Sequence, residues 1–430
     1  MTMNKKHSLI LIMLLTLMAV NLFAQPQQRF PKPDFESGYE QLTMQTPGPR
    51  SQTWEIIDIA VLFVSLSLAT WLALKKRSRT LIFALMLFAL AYFGFFRQGC
   101  ICAVGSFQNV AYAFSNPGYA IPISAVFFFA LPLLFALFYG RTFCAAVCPL
   151  GAIQDFVLVK PVKVPNWLGM ILGVIPYLYL GLAVMFAVLG AGFIVCQYDP
   201  FVGIFRFGGH FDLILLGGAF LLLGTVVGRP YCRYLCPFGV MLGWMSRLSK
   251  KHVTITPDEC IHCRLCENSC PFNAIDEPTE PVPDQEKSRG GRQLLIMILL
   301  VPLFMTVFGW TVSRLDVPLS KQHHTVALAE QIKLENNGLT TETTDASDAF
   351  RASGRTTEDL FADAVMIRKQ FRAGGWWLGG FLGLVFGLQL VSWSRRRQQV
   401  DYEPNRTHCL SCARCFQSCP REHVRLKSRG

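Results

Sequence analysis

Seven apolar runs divide the chain, at roughly residues 55–74, 80–97, 121–139, 167–190, 211–227, 293–312 and 375–394. Each is long enough as a helix to cross a hydrocarbon core of about 30 Å. An earlier apolar run, from Leu9 to about Phe23, follows Lys5 and Lys6 and precedes Ala24, the three-part layout of a secretory signal. Residues 1–24 are therefore expected to be cleaved off and 25–54 to form an extracytoplasmic segment. Polar residues dominate 313–374, with one amphipathic stretch near 358–371. This pattern predicts a mainly α, polytopic membrane helical bundle.

Composition agrees: 430 residues, 52% hydrophobic and only 16% charged, with a net charge of +12. The distribution of that charge fixes an expected orientation. Twenty-five lysines and arginines fall in 75–80, 141–166, 229–292 and 395–430. Thirteen fall in 25–54, 97–120, 191–210 and 313–374, eight of them in the last, long segment. The positive-inside rule places the first group of segments in the cytoplasm. The cations then anchor topology and meet anionic lipid, and no nucleic-acid motif accompanies them. A transporter is disfavoured because the spans show no charged residues of the kind that coupling requires.

The fifteen cysteines change the picture most. "CIHCRLCENSC" (260–270, then Pro271) and "CLSCARCFQSC" (409–419, then Pro420) both read C-x2-C-x2-C-x3-C-P. That run supplies three thiolates to one 4Fe-4S cluster and the fourth to its neighbour, so the expected sets are Cys260, Cys263, Cys266 with Cys419, and Cys409, Cys412, Cys415 with Cys270. Zinc fits four such closely spaced cysteines, twice over, poorly. His262 and His408 lie beside ligands and read as surface or supporting side chains. Because the predicted helices 293–312 and 375–394 leave the cytoplasm and return, both runs lie on one face. They would form one ferredoxin-like (α+β) domain split by a transmembrane helical hairpin. The domain map is then a membrane domain at 55–250, a first ferredoxin half at 251–290, the hairpin with its outside loop at 291–394, and a second half at 395–430.

A second repeat, "GRTFCAAVCPLG" (140–151) and "GRPYCRYLCPFG" (228–239), shares G-R-x-aromatic-C-x3-C-P-x-G. Cysteines four apart on a helix share a face, so Cys144 with Cys148, and Cys232 with Cys236, would each present two thiols. Three readings stay open: one four-thiolate redox or cluster site, a redox-active dithiol, or packing cysteines. Arg141 and Arg229 open the two copies and read equally as positive-inside anchors or as cations that offset thiolate charge. On the outer side, a disulfide from Cys196 to Cys100 or Cys102, a redox relay, and packing thiols remain alternatives.

Two C-x3-C-P repeats on membrane helices followed by two C-x2-C-x2-C-x3-C-P runs resemble the membrane polyferredoxins of the NosR and NapH type. The resemblance covers about residues 80–430 and rests on twelve cysteines. It implies a multi-pass protein of the bacterial cytoplasmic (inner) membrane that carries electrons between a quinol or cytoplasmic donor and an extracytoplasmic acceptor. Two departures stand out. NosR-type members carry an outside flavin domain before the first membrane helix, whereas residues 25–54 are too few to fold one. The loop sequence "DAFRASGRTTEDL" has Arg355 where a covalent-flavin S-G-A-T has alanine, so FMN is not expected. A redox partner protein is expected, a flavoprotein or an exported reductase. No general base, nucleophile or nucleotide cradle is evident, which makes an electron-transfer subunit the expected role rather than a stand-alone enzyme. The alternative is a redox-sensing or maturation factor for an exported metalloenzyme.

Overall fold

The computed structural model of the chain describes residues 51–99, 103–255, 260–279, 284–340, 343–394 and 399–428. The predicted signal peptide and Cys100 and Cys102 lie outside the described residues. Helices α1 (Gln52–Lys76) and α2 (Arg79–Phe96) form an apolar hairpin that turns at Arg77 in the left-handed conformation. Helices α3 (Ala103–Ser115) and α4 (Ile123–Tyr139) follow, and α4 stops at Gly140, whose φ of 79° is open to glycine at no steric cost. The first C-x3-C-P copy makes α5 (Thr142–Ala146) and α6 (Pro149–Phe156). Next come α7 (Trp167–Val188) and α8 (Phe211–Gly224), and the second copy makes α9 (Pro230–Tyr234) and α10 (Pro237–Arg247). The last long helices are α11 (Asp284–Ser313) and α12 (Thr357–Ser394).

Among the described residues five helices are long and apolar enough to cross a membrane: α1, α2, α7, and the apolar parts of α11 and α12. The apolar helices α4 and α8 are shorter. All seven predicted runs are thus helical. The amphipathic stretch 358–371 and the span 375–394 are one continuous helix, α12, rather than two elements, running through Gly374 and Gly375 with no proline to break it. Beside α12, the helical turns of 316–352 close a small core of Ala329, Ile332, Phe350 and Leu360.

Three features differ from what periodicity suggests. Segments 97–120 and 191–210, read as outside connections, fold inward: Val104, Phe107, Gln108, Val195, Phe201 and Phe205 are buried. Gln108 donates to the Ala183 carbonyl at 3.4 Å and accepts from the Val195 N–H at 3.1 Å, so it ties α3, α7 and this segment together. Second, the spans do contain a buried charge pair: Asp58 of α1 meets Arg97 at 3.0 Å and accepts from the Tyr92 hydroxyl at 2.9 Å. Third, the ends of α1 and α2, Leu72–Lys76 and Leu90–Phe96, are π-wound, a rare winding that offsets the helix face by a residue.

The two cysteine runs meet through a short antiparallel ladder, in which Ile275 pairs with Pro404 and Asp276 with Glu403. This places the segments on either side of the α11–α12 hairpin against each other and against the C-x3-C-P units.

Candidate metal centre

Each cysteine run wraps a loop by the same backbone device. His262 and Arg264 in the first run have φ of 52° and 62°, and Ser411 and Ala413, at the matching positions of the second, have 56° and 61°. Non-glycine residues adopt this conformation at a cost, and doing so twice at equivalent places turns successive N–H groups toward the enclosed sulfurs. The Ser411 N–H donates to Cys409 Sγ at 3.4 Å.

The eight thiols line two cavities. One is bordered by Cys260, Cys263, Cys266 and Cys419 with Ile255 and Tyr402. The other is bordered by Cys270, Cys409, Cys412 and Cys415 with Val253, Phe272 and Leu410. Each cavity takes three thiols from one run and the last cysteine of the other. Burial pushes the Cys266 thiol up to about 11 and the Cys409 thiol up to about 12. Four thiols sharing a small apolar cavity cannot all ionise without a multivalent cation among them, and the N–H donors match the sulfurs of a cluster. The residues present therefore fit a 4Fe-4S group in each cavity. His262 reaches Asp401 (Nε2 to Oδ1 3.5 Å), with its ring nitrogen, the Asp401 carboxylate and Cys260 Sγ all within 4.8 Å of one another, and His408 is exposed.

The C-x3-C-P copies do not hold both cysteines on one helix face. Cys144 and Cys232 lie on the short helices α5 and α9, whereas Cys148 and Cys236 have ψ of 117° and 111° and cap α6 and α10. The proline after each second cysteine disfavours helical backbone at that cysteine and is itself accommodated as the first residue of the next helix. Cys148 and Cys236 are thereby set at helix N-termini, and the Gly239 N–H donates to Cys236 Sγ at 3.4 Å. Cys144, Cys232 and Cys236 are electrostatic neighbours, and Cys148 is buried in the same core. Burial pushes the Cys232 thiol up to about 11 and raises Cys236 well above the ordinary thiol value.

The arginines of the repeat cross over. Arg229 donates to the Cys144 carbonyl and passes Gly151, where an added Cβ would stand 3.0 Å from its Nη1. Arg141 mirrors it at Gly239, where a Cβ would stand 3.2 Å from its Nη2. Each glycine of C-P-x-G makes room for the other copy's arginine. Arg141 also donates to the Thr407 carbonyl at 3.1 Å, just before the second run. Cys144, in turn, packs with Cys270, Cys409 and Cys412 against Phe272, Ala274 and Leu410.

Two further residues had no place in the motif. Gln154 donates to Cys232 Sγ at 3.3 Å and accepts from the Tyr231 N–H at 3.0 Å. Asp155 meets Arg79 at 2.5 Å, Arg414 at 3.2 Å and Arg229 at 3.4 Å. Burial alone would raise the Asp155 carboxyl, but Arg229, Arg79 and Arg414 together hold it well below the usual carboxylate range. The signal in the sequence is asymmetry: Gln154 and Asp155 stand in the first copy where the second has Leu242 and Gly243. On the other face, Cys196 lies beside Gly105, and its predicted partners Cys100 and Cys102 fall outside the described residues.

The cysteine chemistry agrees with comparisons to known proteins. A family model described as a 4Fe-4S binding domain matches residues 121–174 and 210–256, which contain the two C-x3-C-P copies, and a second 4Fe-4S binding domain model matches 253–276. The chain is 34% identical to Protein NirI of Paracoccus denitrificans over 33% of its own length and 22% of that protein. It is 26% identical to the putative electron transport protein YccM of Escherichia coli, over 32% and 43%. To the regulatory protein NosR of Pseudomonas aeruginosa it is 26% identical, over 51% and 33%. The chain thus spans from about a fifth to less than half the length of these relatives. No solved structure matches. With its apolar helices, the molecule is a 4Fe-4S membrane protein. Over part of its length it resembles the membrane ferredoxin-type proteins of the NosR/NapH kind.

Proposed function

We propose that the chain is an electron-transfer protein of the bacterial cytoplasmic membrane with two 4Fe-4S clusters on the cytoplasmic side. Cys260, Cys263, Cys266 and Cys419 would hold one, and Cys409, Cys412, Cys415 and Cys270 the other. The observation that carries this reading is the pair of cavities, each bordered by four thiols drawn from both runs. In this reading the runs form one ferredoxin-like domain interrupted by the α11–α12 hairpin. When bound, the clusters supply one-electron chemistry. The chain's part is to hold the thiolates, keep water from them with Val253, Phe272 and Leu410, and set the second cavity against Cys144.

The C-x3-C-P quartet, Cys144, Cys148, Cys232 and Cys236, is the next station, a third redox or cluster site. The exchange of arginines between the copies and the 4Fe-4S model matched across them favour a joint site over separate packing cysteines. Donor and acceptor are a quinol or cytoplasmic reductant and a membrane or extracytoplasmic redox protein. A second reading, a redox-sensing or maturation role, is favoured by the printed name of one relative, regulatory protein NosR.

The test is iron and acid-labile sulfide per chain on anaerobically purified protein, compared with a variant in which all four C-x3-C-P cysteines are serine. More than about eight irons in the parent, falling to about eight in the variant, supports clusters in both regions. About eight in both removes the third cluster, and fewer than about four in reconstituted parent sinks the two-cluster reading.

A further inference from the structure

Arg229 stands out among the buried cations. It is fully buried and begins α9 in the left-handed conformation at φ 49°. It donates to the carbonyls of Cys144 and Ala145, pairs with Asp155, and lies 5.7 Å from the ring centroid of Phe272. The thiols whose charges reach it belong to two different sites: Cys144 and Cys232 of the C-x3-C-P units, and Cys412 of the second cavity. An arginine stays protonated throughout the working pH range, so this is a permanent charge in a medium of low dielectric. Its counter-ion is shared. Asp155 also binds Arg79 and Arg414, which leaves three guanidiniums on one carboxylate and a net positive node against the second cavity.

Reduction of an iron–sulfur site adds one electron and so a negative charge, and a fixed cation nearby stabilises the reduced form. We propose that Arg229, locked by Asp155 between the C-x3-C-P thiols and Cys412, is a positioning residue. It raises the reduction potential of the site at Cys270, Cys409, Cys412 and Cys415, the station that packs against Cys144. This rests on the two-cluster reading given above.

The geometry sets opposite signs for two substitutions. Arg229→Gln removes the cation and leaves a carboxylate less compensated, so the potential falls. Asp155→Asn removes the opposing anion and leaves the guanidiniums, so it rises. Arg229→Lys keeps the charge and stays near the parent. The experiment is a potentiometric titration of the full chain followed by electron paramagnetic resonance, with Cys412→Ser used to assign the second site's signal. At a fixed poise the oxidised-to-reduced ratio at that site is expected to change on the order of tenfold, or 59 mV for one electron, in opposite directions for the two variants. The first site's potential stays where it was.

Shifts in the same direction, or unmoved potentials with both signals present, overturn the proposal. If Arg229→Gln fails to load iron, Asp155→Asn and Arg229→Lys decide it: a potential that does not rise in the former, or that falls in the latter, overturns it. Absence of both signals from the parent is a different failure, that of the cluster reading.

Discussion

Asp155 binds three parts of the molecule with one carboxylate: α2 through Arg79, the second C-x3-C-P copy through Arg229, and the second cysteine run through Arg414. A buried carboxylate so paired costs several kcal/mol when its partners are removed, mostly as unpaired charge. The glycines of the same repeat follow a steric rule instead. Gly151→Ala and Gly239→Ala press a methyl group against Arg229 and Arg141, and each is expected to cost about 1–3 kcal/mol and to lower iron retention. Gly118→Ala, whose Cβ meets nothing within 4 Å, is the control. Thermal unfolding in detergent and iron per chain measure both effects, and equal losses in all three variants would refute the arginine-crossing account. At this scale the sequence was informative where residues recur. The eight cysteines of the two runs, which border two cavities four to each, and Arg141, Arg229 and both glycines were visible as repeated letters. Asp155 occurs once, in one copy, and its partners come from positions 79, 229 and 414, so the asymmetry between the copies could mark it but not show what it binds.

Among the elements, the hairpin of α11 and α12 depends on missing side chains. A Cβ at Gly379 would stand 2.2 Å from the Phe308 carbonyl oxygen, and one at Gly383 would stand 2.4 Å from that of Phe304. Such close backbone approach is how helices associate where lipid removes the hydrophobic drive between them. Gly383→Leu should separate the two helices and lower the yield of iron-loaded protein severalfold, whereas Gly380→Ala, with open space around it, should not. Iron per chain after membrane extraction reads the difference, and full loading of Gly383→Leu would show that the cysteine runs meet without the hairpin. The apolar spans were legible because twenty-odd apolar residues leave few alternatives. Two readings were not. Four-residue spacing suggests one helix face for each C-x3-C pair, but Pro149 and Pro237 force a break at the preceding cysteine. Segment 191–210 looked like a surface connection because its glycines and Pro200 resemble turn signals, yet Phe201 packs edge-on to Tyr231 at 5.3 Å.

For the whole molecule, the lysine and arginine distribution predicts that residue 430 faces the cytoplasm and the loop at 313–374 faces outward. Reporter fusions at Gly430 and within 321–340 should therefore read opposite sides. The same side for both would invalidate the hairpin topology and the cytoplasmic placement of the clusters. The interleaving of the runs carries a further consequence, for biosynthesis. The first cavity lacks Cys419, and the second lacks three of its four thiols, until residues 409–419 have left the ribosome. By then α11 and α12, which lie between the runs, have been synthesised. If the proposed hairpin topology and clusters hold, metal acquisition follows both translation and membrane insertion and so certifies both. On that reading, a molecule that stalls or inserts backwards has scattered thiols and no cofactor, a difference that cellular proteolysis can read.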